Sequence, residues 1–176
     1  MWRPNFHEPS SREVAYAAGL GIACLVTYWV MVSLLPGLTG RPSTPVAMIW
    51  AVISAAFVYK DTRSHSISAG ISRLIGTLIS VVLCLAYLSL LRASPVGMAI
   101  LLAIGTILTT WLDRPGEIGV TAITTAVVMI VATSEPQDAW QQPLLRLLDT
   151  VVGIIVGVAC KWAASSLLNK ILAEET

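Results

Sequence analysis

Arg73-Leu74-Ile75-Gly76-Thr77-Leu78-Ile79-Ser80 and Arg146-Leu147-Leu148-Asp149-Thr150-Val151-Val152-Gly153 are two versions of one phrase, each leading into a long apolar run. An arginine beside a hydrocarbon layer is costly unless it is paired, reaches back to the headgroups or serves a function. The two phrases therefore bear on the fold, through duplication, and on mechanism, through charge. A shift of 73 positions lays Arg73 on Arg146, Leu74 on Leu147, Thr77 on Thr150 and Ala86 on Ala159 without a gap, and brings the preceding apolar runs into register.

The rest of the chain is consistent with a hydrocarbon setting. Of 176 residues, 56% are hydrophobic and only 12% charged, and the mean hydropathy is +0.78. These values lie outside the range of soluble domains. The apolar residues gather into six runs, at about 14–35, 45–60, 70–91, 95–112, 118–134 and 143–168. Most are long enough to cross roughly 30 Å of hydrocarbon at 1.5 Å per residue, while the second and fifth are short. A membrane barrel needs ten-residue segments of alternating polarity, and none is present. The expected fold class is therefore an all-α membrane protein with six transmembrane helices. Residues 1–13 form an N-terminal cytoplasmic segment, 14–168 the membrane domain and 169–176 a short cytoplasmic tail.

Three units per copy force the second copy to insert upside down. The expectation is an inverted 3+3 repeat, with unit one at about 14–91 and unit two at about 92–168, as in many secondary transporters. Arg73 is then expected toward the cytoplasmic face and Arg146 toward the opposite one. Sorting Lys and Arg to alternate sides places Arg3, Arg12, Lys60, Arg63, Arg73, Arg114, Lys161 and Lys170 on the N-terminal side, against Arg41, Arg92 and Arg146. Positive charge is retained in the cytoplasm, so both termini are expected there. The polar opening lacks the apolar core of a secretory signal, and Ser10-Ser11-Arg12-Glu13 reads as a capping box that starts the first helix. Trp111, Trp140 and Trp162 read as interfacial anchors.

Cys24, Cys84 and Cys160 lie inside apolar runs without ligand spacing and read as packing residues. His7 and His65 have no companions, so no metal is expected, and no cofactor. The formal charge of +1 gives no basic surface for nucleic acid. No nucleophile, base and orienting residue line up, so no enzyme is expected.

The two phrases, with the first following an apolar span that contains Trp50, resemble the paired signatures of the fusaric-acid-resistance and aromatic-acid-exporter superfamily, which includes plant malate channels. The resemblance covers about residues 42–165. It implies a transporter or exporter of organic anions in the bacterial inner membrane, often of aromatic carboxylates and driven by the proton gradient. Larger members carry cytoplasmic domains and often a second membrane block, both missing here, and Ser80 stands where glycine is usual. These departures point to a homo-oligomer or a partner efflux subunit beside the lipid and the anion.

Each candidate residue has a structural reading and a functional one. Arg73 and Arg146 either snorkel or offer a planar fork to a carboxylate at the two ends of a pathway. Asp149 either neutralises Arg146 one turn away or acts as a proton-coupling switch, released to take a proton when substrate claims the arginine. Thr121, Thr124 and Thr125, with Thr77 and Thr150 of the phrases, either bond within the bundle or line a wet substrate path, and Thr106, Thr109 and Thr110 make a similar stripe. Gly76, Ser80, Gly153 and Gly157 are spaced for close helix packing, which makes the third and sixth spans expected partners of each other or of a symmetry mate. The resulting expectation is an organic-anion exporter. A passive anion channel and a non-transporting subunit of an efflux or envelope complex are the alternatives.

Overall fold

The computed structural model describes residues 10–40, 43–134 and 136–174. Most of the expected segment 1–13, with Arg3 and His7, lies outside the described residues, as do Arg41 and the last two residues of the expected tail. Every regular element among the described residues is helical. The helices are α1 (Ser11–Ser33), the short α2 (Leu35–Thr39), α3 (Pro45–Val58), α4 (Arg63–Leu88), α5 (Pro95–Trp111), α6 (Ile118–Ser134) and α7 (Gln142–Glu174), with 3-10 turns at Pro115–Glu117 and Pro136–Gln141.

Local chemistry sets the helix starts. The capping box forms as expected: the Glu13 amide donates to Ser10 Oγ at 3.4 Å and the Ser10 amide donates to Glu13 Oε2 at 2.7 Å. Thr44, Thr62 and Ser94 cap α3, α4 and α5 through their hydroxyls, and at α3 and α5 a proline follows the cap. Proline costs nothing there, because its missing N–H would have had no helical partner. Gly40, at φ 67°, ends α2 in the left-handed region that glycine enters without strain.

Four stretches are long and apolar enough to cross a membrane: Ser11–Gly37, Arg63–Leu88, Pro115–Ser134 and Ala139–Ser166. The apolar helices α3 and α5 are shorter, at 14 and 17 residues. The short elements are thus the second and fourth of the expected runs rather than the second and fifth, because the Pro115–Glu117 turn extends the fifth into a stretch of 20 residues. The third run departs more. It was expected from residue 70, but α4 starts seven residues earlier at Arg63. The segment Arg63-Ser64-His65-Ser66-Ile67-Ser68 is polar in composition, yet the Thr62 cap and internal backbone bonding make it helix. α7 likewise continues through Glu174, so the expected tail is helical as far as it is described.

The bundle is inside-out relative to a soluble protein. Thr27, Ser54, Thr77, Ser80, Thr109, Thr125 and Thr150 are fully buried, while Ile22, Leu25, Trp29, Ile107, Ile130 and Ile155 are exposed. Side chains that would cost free energy in lipid are turned inward, and apolar ones face outward. α7 packs along α3 and α4. α1 lies on α3 and α7, and α5 lies on α6 and α4. Trp111, Trp140 and Trp162 are exposed, as interfacial anchors would be. Lys161, within the last apolar run, sits over the rings of Tyr16 and Tyr59 at 5.9 and 5.2 Å, where aromatic faces offset its charge.

The small residues allow close helix approaches, but between different partners from those expected. A Cβ on Gly153 would stand 2.3 Å from the Ala51 carbonyl oxygen, and one on Gly157 2.9 Å from that of Ala55, so both glycines admit α3. Gly76 and Ser80 face α6, through Val120 and Thr125. α4 and α7 do meet, as expected of the third and sixth spans, but at Gly70 against Ile154 and Val158. The spacing of small residues marks a close contact without naming its partner, because any helix backbone can use the space.

Candidate polar site in the bundle interior

A stripe on α3 organises the interior. Trp50, Ser54 and Phe57 follow at i, i+4 and i+7 and share one helix face. Arg73 of α4 donates from Nε to Ser54 Oγ at 3.0 Å, and Ser54 Oγ donates in turn to the Trp50 carbonyl at 2.8 Å. The Trp50 indole Nε1–H donates to Thr150 Oγ1 of α7 at 2.9 Å, and that hydroxyl donates to the Arg146 carbonyl at 2.8 Å. Arg146 Nη1 then pairs with Asp149 Oδ2 at 3.0 Å. Each hydroxyl both accepts and donates, so the two phrases are joined into one buried chain through a tryptophan.

The two arginines are in unequal surroundings. Arg73 is 6% exposed, Arg146 and Asp149 2% each. Arg146 has its carboxylate one turn away. Arg73 has, among the described residues, no carboxylate within 4.0 Å. Its guanidinium instead lies over the rings of Trp50 and Phe57, at 5.5 and 4.9 Å from their centroids. Aromatic faces soften the charge without occupying the N–H donors of the fork.

Their depth differs from the expectation. Arg73 is ten residues into α4, about 15 Å from its start. Arg146 lies one turn before the Trp50–Thr150 contact, and Arg73 is level with Ser54, one turn after it. The arginines thus flank a single layer about 12 Å apart along the bundle. Arg73 lies deeper than its apolar run implies. The reason is the early start of α4, which carries Arg73 inward from the position its apolar run implied.

A second polar seam joins α4 to α6. Thr121 Oγ1 donates to the Gly76 carbonyl at 3.1 Å, and the Ser80 and Thr125 hydroxyls are 2.9 Å apart. Thr77 and Thr124, both fully buried, have hydroxyls without a hydrogen-bond partner among the described residues. The stripe on α5 is self-contained: Thr106, Thr109 and Thr110 each donate to the carbonyl four residues back at 2.8 Å. The cysteines are free, and Cys84 packs with Leu101, Val128 and Met129. No group of three metal-ligating side chains occurs among the described residues.

Ser54 and Phe57 are members of this layer that the two phrases do not reveal. Their signal was available as the Trp50-x3-Ser54-x2-Phe57 stripe in an otherwise small and aliphatic helix.

A family model described as "Fusaric acid resistance protein-like" matches residues 27–160, a stretch that holds Trp50, Ser54, Arg73, Arg146 and Asp149. No curated protein and no solved structure matches the chain.

Proposed function

This chain belongs to the fusaric acid resistance protein-like family of multi-pass membrane transport proteins, and from that premise we propose that it moves organic anions, with a carboxylate held at Arg73. The observation that carries this reading is the state of Arg73: buried, level with Ser54 of α3, bonded to one hydroxyl and boxed by two aromatic rings. A guanidinium fork binds a carboxylate through two parallel N–H···O bonds. Trp50 and Phe57 beside it suit an aromatic body on the same molecule, by offset or edge-to-face stacking. Aromatic carboxylates are therefore the proposed substrate class.

Arg146 and Asp149 form the second element. A substrate carboxylate that reaches Arg146 displaces Asp149, which then takes a proton, and this couples anion movement to the proton gradient. Gly76 stands at the equivalent place in the first phrase, so the coupling is one-sided. Thr77 and Thr124 offer the substrate path two buried hydroxyls.

The proposed architecture is six crossings in an inverted 3+3 repeat, with α1, α3 and α4 mapped on α5, α6 and α7. Supporting it, α1 lies on α3 as α5 lies on α6, and α7 packs on α3 as α4 packs on α6. Ser80 meets Thr125, and Gly153, 73 positions on, meets Ser54. The excess of Lys and Arg on one side supports an inner-membrane protein with both termini in the cytoplasm.

The test is flux of labelled aromatic and aliphatic carboxylates in proteoliposomes. Arg73→Gln is expected to abolish flux and Arg73→Lys to retain part of it, because an ammonium keeps the charge and loses the fork. Asp149→Asn is expected to leave flux that ignores an imposed pH gradient. A folded parent that moves no carboxylate ends the proposal. Parental currents indifferent to the gradient select a passive channel and remove the role given to Asp149.

A further inference from the structure

Two adjoining hollows lie at the end of the bundle where α4 begins. The first is an apolar groove of about 670 Å³ between α4 and α7, lined by Ile67, Ile71, Ile154, Val158 and Trp162 among others. The second is a polar pocket of about 450 Å³, formed by Ser64, Ser68 and Ser72 with Arg114 and Glu117. Ile67 and Ile71 border both, so the two are continuous over one ridge.

The serines follow at i, i+4 and i+8, a hydroxyl stripe on a face where lipid-facing residues are otherwise apolar. Within the pocket Arg114, half exposed, and Glu117, buried at the pocket's floor, form an ion pair at 3.7 Å, longer than a hydrogen bond. At the mouth of the groove, Arg63 lies over Trp162 at 5.1 Å and donates to Ser166 at 2.8 Å. A pocket that offers one cation, one anion and a row of hydroxyls is complementary to a zwitterion, and the apolar groove beside it fits an acyl chain.

We propose that this surface binds one phospholipid with a primary-ammonium headgroup, its phosphate at Arg114 and the serines, its ammonium at Glu117, and one acyl chain in the α4–α7 groove. The primary ammonium sets the specificity. It donates hydrogen bonds to a carboxylate, whereas a trimethylammonium has none to give, and an uncharged glycerol headgroup leaves Glu117 without a cation.

The experiment is native mass spectrometry of the full chain, extracted from vesicles with equal parts phosphatidylethanolamine, phosphatidylcholine and phosphatidylglycerol. The expected result is one retained phosphatidylethanolamine, favoured by about tenfold over each competitor, the worth of one charge-assisted hydrogen bond. Glu117→Gln is expected to level ethanolamine with choline, and Arg114→Gln to lower retention of all three. Arg92→Gln, outside both hollows, is expected to change nothing. Equal retention of the three lipids by the parent overturns the proposal without need of any variant, and so does an unchanged preference in a folded Glu117→Gln protein.

Discussion

Gly153→Ala is expected to be among the costliest single-methyl additions in this chain. A Cβ there would lie 2.3 Å from the Ala51 carbonyl oxygen, 2.6 Å from Ser54 Cβ and 3.1 Å from the Ala51 carbonyl carbon. Two of these atoms are backbone, so no rotamer change relieves them. Restoring ordinary contact at 3.4 Å means separating α3 from α7 by about 1 Å. The same separation stretches the Trp50–Thr150 hydrogen bond from 2.9 Å beyond useful length and loosens the Gly157–Ala55 approach. Overpacking of this kind costs about 1–3 kcal/mol, and an interhelical hydrogen bond in a membrane protein adds about 0.6 kcal/mol. The expected loss is therefore about 2–3 kcal/mol. Gly119→Ala is the control, because nothing lies within 4 Å of its added Cβ. Titration of the purified protein from mild detergent into SDS, followed by helical circular dichroism, measures both. If Gly153→Ala unfolds within about 0.5 kcal/mol of Gly119→Ala, the α3–α7 contact is not as drawn.

Further outcomes follow from the polar layer. Asp149→Asn leaves a buried Arg146 without its anion and is expected to cost about 3–5 kcal/mol in the same titration, while replacing both partners with apolar residues of similar volume recovers most of that loss. Trp50→Phe and Thr150→Val remove opposite ends of one hydrogen bond. Each is expected to cost about 1 kcal/mol, and the double variant less than their sum, which a double-mutant cycle reads directly. Gly97→Ala is expected to be mild, below about 1 kcal/mol, despite a 2.0 Å approach to Tyr87 Oη. The obstructing atom is the far end of a half-buried ring that can turn aside, giving up its 3.2 Å contact with Ser94, and near-ultraviolet circular dichroism registers the turn.

Much of this architecture was legible from residue order. The Ser10–Glu13 box marked the start of α1, while the threonine and serine caps of α3 and α5 emerged with the structure. The start of α4 was hidden, since its first turns carry serines and a histidine that composition alone assigns to a loop. Of the interior layer, the Arg146–Asp149 pair could be read from its i, i+3 spacing. The Trp50-Ser54-Phe57 stripe was there to be read as well, but its partner was not, because Arg73 arrives on another helix.

The sequence by itself determined that this is a helical membrane protein, which stretches are helices, and that its two halves share a phrase. The physical reason is local: in hydrocarbon each backbone group must bond within its own segment, so composition and caps decide the elements. Only the tertiary structure decided which helices the small residues admit, and that Arg73 and Arg146 flank one layer joined through Trp50. Helix partners are chosen by the summed fit of whole surfaces. Gly76 and Gly153 look alike in the chain, and what they touch is set by helices far from them in sequence.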